Sequence, residues 1–131
     1  MSHTSWLPVL TPADAAEWDR CAEAAGILTP ALMESAGRGA AVVLASRHGA
    51  AMARGVLVAC GSGNNCGDGW VLARALHRQG VPVFVAALPT PSAPLAALVA
   101  GFARADGVRE VAPDGPWPGV GLVVDAVLGT G

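Results

Sequence analysis

Nine consecutive residues hold the densest chemistry of this chain: Gly61-Ser62-Gly63-Asn64-Asn65-Cys66-Gly67-Asp68-Gly69. The glycines let a backbone approach a ligand, and the adjacent carboxamides of Asn64 and Asn65 can both donate and accept hydrogen bonds. Between a strand and a helix, such a stretch aims backbone N–H groups at an anion, and Asp68 adds a carboxylate near the helix start. The chemistry implied is a polar site for a phosphate-bearing ligand. The alternative is a purely local role, in which Asn64 and Asn65 shape a turn in left-handed conformations and Asp68 caps the helix. The combination of two Asn with several glycines at the carboxyl end of a buried strand favours the ligand site. The stretch opens like a dinucleotide fingerprint, because Gly61 and Gly63 follow a strand and precede a helix. However, Cys66 occupies the third glycine position, and the next strand ends in Leu88-Pro89 without the acidic residue that holds a ribose. A nicotinamide- or flavin-dependent oxidoreductase is therefore disfavoured. Asp125 is the second candidate, since an acidic residue closing an otherwise apolar strand points to function more than to a solvated strand end.

These residues must be positioned by a scaffold, and the flanking patterns supply one. Thr11-Pro12-Ala13-Asp14 is a helix start, with a hydroxyl to cap, proline at the first turn and an acid at the positive end of the dipole. That helix is expected to run to about Ala25 and stop at Gly26. Thr29-Pro30 repeats the start, and Leu32, Met33, Ala36, Ala40 and Val43 share one helical face to about Arg47. Val56–Cys60 is a short apolar run between glycines, as in a strand buried on both faces. A loop is expected over 61–69, a helix over Trp70–Gln79, a strand over Val81–Leu88 and a helix over Ala93–Ala105. A short strand near Val108–Val111 and a last strand over Gly121–Leu128 complete the set. Alternating apolar strands and helices describe an α/β fold with a Rossmann-like, doubly wound parallel sheet preceded by two helices. Ligands of such folds bind at the carboxyl ends of the strands, where 61–68 and 125–131 both fall.

Composition narrows the function classes. The chain has 131 residues, enough for one domain, and 53% of them are hydrophobic against 14% charged, where about 25% charged is typical. Disorder is excluded on that balance. The net charge of −2, with no lysine, gives no electrostatic footprint for nucleic acid or anionic lipid. Met1 to Trp6 lacks the basic and apolar segments of a secretory signal, and no apolar run approaches the roughly 18 residues of a membrane span. Three cysteines, Cys21, Cys60 and Cys66, form no C-x-x-C pair and read as reduced thiols of a cytoplasmic protein.

Three motifs then carry a family resemblance. The 61–69 stretch resembles the G-x-G-N-N-G-G-D-G loop of the NAD(P)H-hydrate epimerases, the YjeF N-terminal domain family. Leu32-Met33-Glu34-Ser35-Ala36-Gly37 is similar to that family's L-M-E-x-A-G helix. Val124-Asp125-Ala126-Val127-Leu128-Gly129-Thr130-Gly131 is similar to its V-D-A-L-F-G-T-G segment. The resemblance implies that residues 1–131 are the N-terminal part of such a domain. It implies epimerisation of the R and S forms of hydrated NADH or NADPH (NADHX and NADPHX), after which a dehydratase, fused or separate, restores the cofactor. It implies substrate contacts from Asn64, Asn65, Cys66, Gly67, Asp68, Gly129, Thr130 and Gly131, and a potassium ion (K+) held through Asn65 and Asp125. An amide oxygen and a carboxylate are ligands that a hard cation accepts.

Two departures from the family pattern carry their own expectations. Cys66 stands where the family has the first glycine of G-G-D. A positive φ there would strain it and its side chain would narrow the site; a reactive thiol at a helix N-terminus is the other option, with simple tolerance of a small side chain favoured. The family's D-x-P-S-G motif, whose Asp is the catalytic acid/base, does not occur, so that Asp is expected beyond Gly131 and the sheet is expected to be truncated on its C-terminal side. The 131 residues alone are then expected to bind weakly, turn over little, and self-associate or aggregate, a homodimer being one such form. The rival readings are a non-catalytic nucleotide- or RNA-binding scaffold of the same fold and the N-terminal part of a bifunctional epimerase and ADP-dependent dehydratase. Intact Asn64, Asn65, Asp68 and Asp125 favour an enzyme, and the lack of basic clusters counts against RNA.

Overall fold

The computed structural model describes residues 7–88 and 91–129. Helices α1 (Pro12–Ala24) and α2 (Thr29–Met52) precede β1 (Val56–Cys60), α3 (Asn64–Arg78), β2 (Val83–Ala87), α4 (Pro94–Ala105), β3 (Arg109–Val111) and β4 (Leu122–Ala126). The four strands are parallel in the order β3-β2-β1-β4. Right-handed crossovers through α3 and α4 both step outward from β1, so the two helices share one face of the sheet. β4 adds on the opposite side of β1. The direction in which strands are added therefore reverses at β1, and the carboxyl ends of β1 and β4 form the topological switch point where doubly wound sheets bind ligands.

The core lies between α3 and the sheet. Val56, Val58, Val83 and Val85 stack against Trp70 and Leu76, all wholly or almost wholly buried. Glycines set how closely the layers approach. A Cβ on Gly69 would lie 2.8 Å from the Ala126 Cβ, and one on Gly37 would lie 2.5 Å from the Val71 Cβ, so α3 packs tightly on both β4 and α2.

Three local expectations are corrected. Helix α3 begins at Asn64, in the middle of the expected loop, with Gly63 as an N-cap that makes no side-chain hydrogen bond. Gly67 and Gly69, which read as loop residues, are instead contact points of a helix. Helix α2 continues past Arg47 to Met52 through a kink at His48, whose φ is −132°. Its N-cap is Leu28, without a side-chain bond, while the Thr29 hydroxyl donates to Glu23 and ties the end of α1 to α2. The start of α1 follows expectation: the Thr11 hydroxyl accepts from the Asp14 N–H at 3.2 Å, and Asp14 Oδ2 accepts from the Thr11 N–H at 3.1 Å.

Candidate functional site

The short connection from β1 to α3 is held from both sides. On one side the Ser62 carbonyl accepts from the Ser92 N–H at 2.9 Å and the Ser92 hydroxyl at 3.1 Å, which fastens it to the start of α4. On the other side Gly61 N–H donates to the Ala126 carbonyl at 3.2 Å. A Cβ on Gly61 would fall 2.0 Å from the Val127 carbonyl oxygen, so only glycine lets β1 leave the sheet this close to β4. Gly63, in contrast, faces open space.

Among the described residues no side chain caps α3, which leaves its first N–H groups as donors at the positive end of the helix dipole. They open into a cleft of about 770 Å³ lined by Asp19, Gly63, Asn64, Asn65, Asp68, Leu128 and Gly129. Asn65 bridges the switch point: its Nδ2 donates to the Leu128 carbonyl at 2.6 Å. A carbonyl accepts only from the amide nitrogen, so the Asn65 carboxamide oxygen is turned away from that bond and is free to accept or ligate. Asp68 lies in the second turn of α3, past the capping position, and half buried. Burial pushes its carboxyl above the ordinary aspartate range, and the neighbouring Asp19 charge adds to the shift.

The remaining expected site residues separate into three groups. Cys66 and Gly67 are wholly packed away: Cys66 is inaccessible, and a Cβ on Gly67 would meet the Met33 side chain at 2.5 Å. Cys66 needs no positive φ and is not strained, in line with the favoured reading of a tolerated small side chain: among the described residues every positive φ belongs to glycine. Nor is Cys66 an exposed reactive thiol: its side chain is buried beside that of Cys60. Asp125 stands at the same edge, with Oδ1 accepting from the Val127 N–H at 2.9 Å. It alternates with Ala126, which faces α3, and so is directed to the other face of the sheet, outside the cleft lining. Gly129 lines the cleft, whereas Thr130 and Gly131 lie outside the described residues.

For a bound cation, the donor set fits in kind. The Asn65 carboxamide oxygen and the exposed Asp125 carboxylate are oxygen ligands of the kind an alkali ion takes, although Asp125 is directed to the other face of the sheet from the cleft. Among the described residues no group of three His, Cys, Asp or Glu is placed to hold a transition metal. No helix among them is long and apolar enough to cross a membrane.

Sequence reasoning missed one wall of the site. Asp19 of α1 faces the start of α3, and beyond it the cleft runs on between α1 and α2 past Leu32, Met33 and Ala36. No residue of α1 is buried, so its pattern carries no signal of where it docks.

Residues 29–131 match the family described as YjeF-related protein N-terminus. The chain is 39% identical over 107 residues to the NAD(P)H-hydrate epimerase of Rhodopirellula baltica, covering 76% of this chain and 43% of that protein. It is 41% identical over 123 residues to the bifunctional NAD(P)H-hydrate repair enzyme Nnr of Pyrobaculum aerophilum, covering 86% of this chain and 24% of that protein. The chain thus spans less than half the length of these relatives. The crystal structure of yeast ynu0, YNL200c, superposes with a TM-score of 0.80 at 26% identity, covering 95% of this chain and 58% of the yeast chain.

Proposed function

Since the chain belongs to the YjeF-related N-terminal family, we propose that its cleft binds hydrated NADH or NADPH for epimerisation between the R and S forms. The carrying observation is the uncapped start of α3, where free N–H groups, two carboxamides and a half-buried carboxylate open together into one cleft at the switch point. Free N–H groups at a helix start suit the pyrophosphate, and glycine at position 63 leaves the backbone bare to it. Asn64 and Asn65 match the donors and acceptors of a carboxamide-bearing ring. The relatives named epimerase and repair enzyme support this substrate class.

Inversion at the hydrated carbon needs a positioned proton donor and acceptor. The residues of the cleft bind and orient the substrate for that step. A potassium ion would be held through the Asn65 carboxamide oxygen and Asp125 at the switch point, where it would supply fixed positive charge. The three cysteines are free thiols, two of them buried side by side, which supports a reducing cytoplasmic setting. A dehydratase, fused or separate, is the partner activity that would consume the product.

Calorimetric titration of NADHX and NADPHX into the protein tests the reading. Binding that is lost in Asn64→Ala/Asn65→Ala, with the fold intact by circular dichroism, is the expected result. Undiminished binding in that double variant would contradict it. For the ion, KCl should raise the thermal midpoint more than NaCl does, and Asp125→Asn should abolish the difference.

A further inference from the structure

Past Asn64 and Asp68 the cleft continues into a second compartment of about 450 Å³ with unlike walls. The α2 side presents Leu32, Met33 and Ala36, an apolar surface suited to a flat base. The α1 side presents Asp19, Glu23 and Arg20, and α1 lies upstream of the segment that matches the family. The charges there are mostly negative. The Arg20 guanidinium is engaged by Glu17, and Glu23 accepts from the Thr29 hydroxyl. Among the described residues Asp19 has no ion-pair partner, and it borders both compartments together with Asn64 and Asp68.

Resting on the epimerase reading, we propose that Asp19 is a specificity-determining residue that selects NADHX, with its free ribose 2′-hydroxyl, over 2′-phosphorylated NADPHX. A dinucleotide with its pyrophosphate at the start of α3 sends its halves in opposite directions along the cleft. The Asn65 carboxamide, with Gly129, marks the end suited to the hydrated nicotinamide. The apolar surface of α2 marks the end suited to adenine. The adenosine ribose joins adenine to the pyrophosphate and so passes Asp19. A carboxylate accepts hydrogen bonds from ribose hydroxyls, while it repels a phosphate dianion, and among the described residues no uncommitted basic side chain lines the compartment to compensate.

The test is calorimetric affinity for NADHX and NADPHX in the wild type, Asp19→Asn and Asp19→Arg. Asp19 sits on a helix without buried residues, so both variants are expected to keep the wild-type circular dichroism spectrum. The wild type should prefer NADHX by about tenfold; Asp19→Asn should narrow that ratio and Asp19→Arg should reverse it. Equal affinities in the wild type, or a ratio unchanged in Asp19→Arg, would overturn the assignment of Asp19 and leave the epimerase reading standing. Failure of the wild type to bind either ligand would overturn both.

Discussion

The two ends of α3 are built on opposite rules. At the C-terminal end every charge is answered: Arg74 Nε and Arg78 Nε reach Asp106 Oδ2 at 2.8 and 2.5 Å, and His77 Nε2 lies 2.9 Å from the Asp106 carbonyl oxygen. Arg78 sits in the last turn, where the helix dipole is negative, and these three side chains together with Asp106 fasten α3 to the end of α4. At the N-terminal end no side chain among the described residues caps the same helix, and Asp68 is half buried with a second carboxylate nearby. One end spends its polar groups on stability; the other withholds them. Polar groups left unanswered on a well-packed scaffold are the features on which the proposed ligand site rests.

Four substitutions sharpen this contrast, in falling order of effect. Gly61→Ala drives a methyl group into the Val127 carbonyl and should destabilise the protein by about 3 kcal/mol in denaturant unfolding. Asn65→Ala removes the bond to Leu128 and one ligand-facing oxygen; NADHX affinity should fall about tenfold while the thermal midpoint moves little. Asp106→Asn acts on the other end. Its neighbouring Arg78 and Arg74 hold the Asp106 carboxyl down to about 2, below the ordinary 3.8, so its contribution is complete above about pH 4 and vanishes as pH falls through about 2. The variant should therefore melt lower than wild type at neutral pH, with the gap closing across that acid window and NADHX binding unchanged. Asp68→Asn should have the opposite sign. Because burial raises the Asp68 carboxyl, its ionised form opposes folding at neutral pH, and the neutral isostere should melt slightly higher. That gap should shrink as acid protonates the wild-type side chain, and a lower melting point at neutral pH would contradict the account.

Strands β1 and β2 were legible because they are short, wholly apolar runs covered along most of their length, whereas β3 is polar and exposed and β4 alternates exposed with covered residues. Val56–Cys60 matches its expected span residue for residue. The location of the site followed from the same pattern, since both polar stretches sit at strand carboxyl ends. The start of α3 was not legible. Asn64, Gly67 and Gly69 have poor helix propensity, and tertiary packing overrides it: Met33 and Ala126 come so near that side chains at 67 and 69 would collide. The contribution of α1 was hidden for a different reason, because a helix that buries nothing encodes no docking face. Cys66 read as a possible strain point only while 61–69 was taken as loop; within a helix its backbone is ordinary and its side chain simply fills the core.

The central claim, that the uncapped end of α3 holds the substrate, is tested most directly by following backbone amide resonances as NADHX is titrated into the protein. The account predicts saturating shifts at Gly63, Asn64, Asn65, Asp68 and Gly129, with Arg74, Arg78 and Asp106 unmoved. Shifts confined to the Arg74–Asp106 end, or none along α3 at saturating ligand, would contradict it.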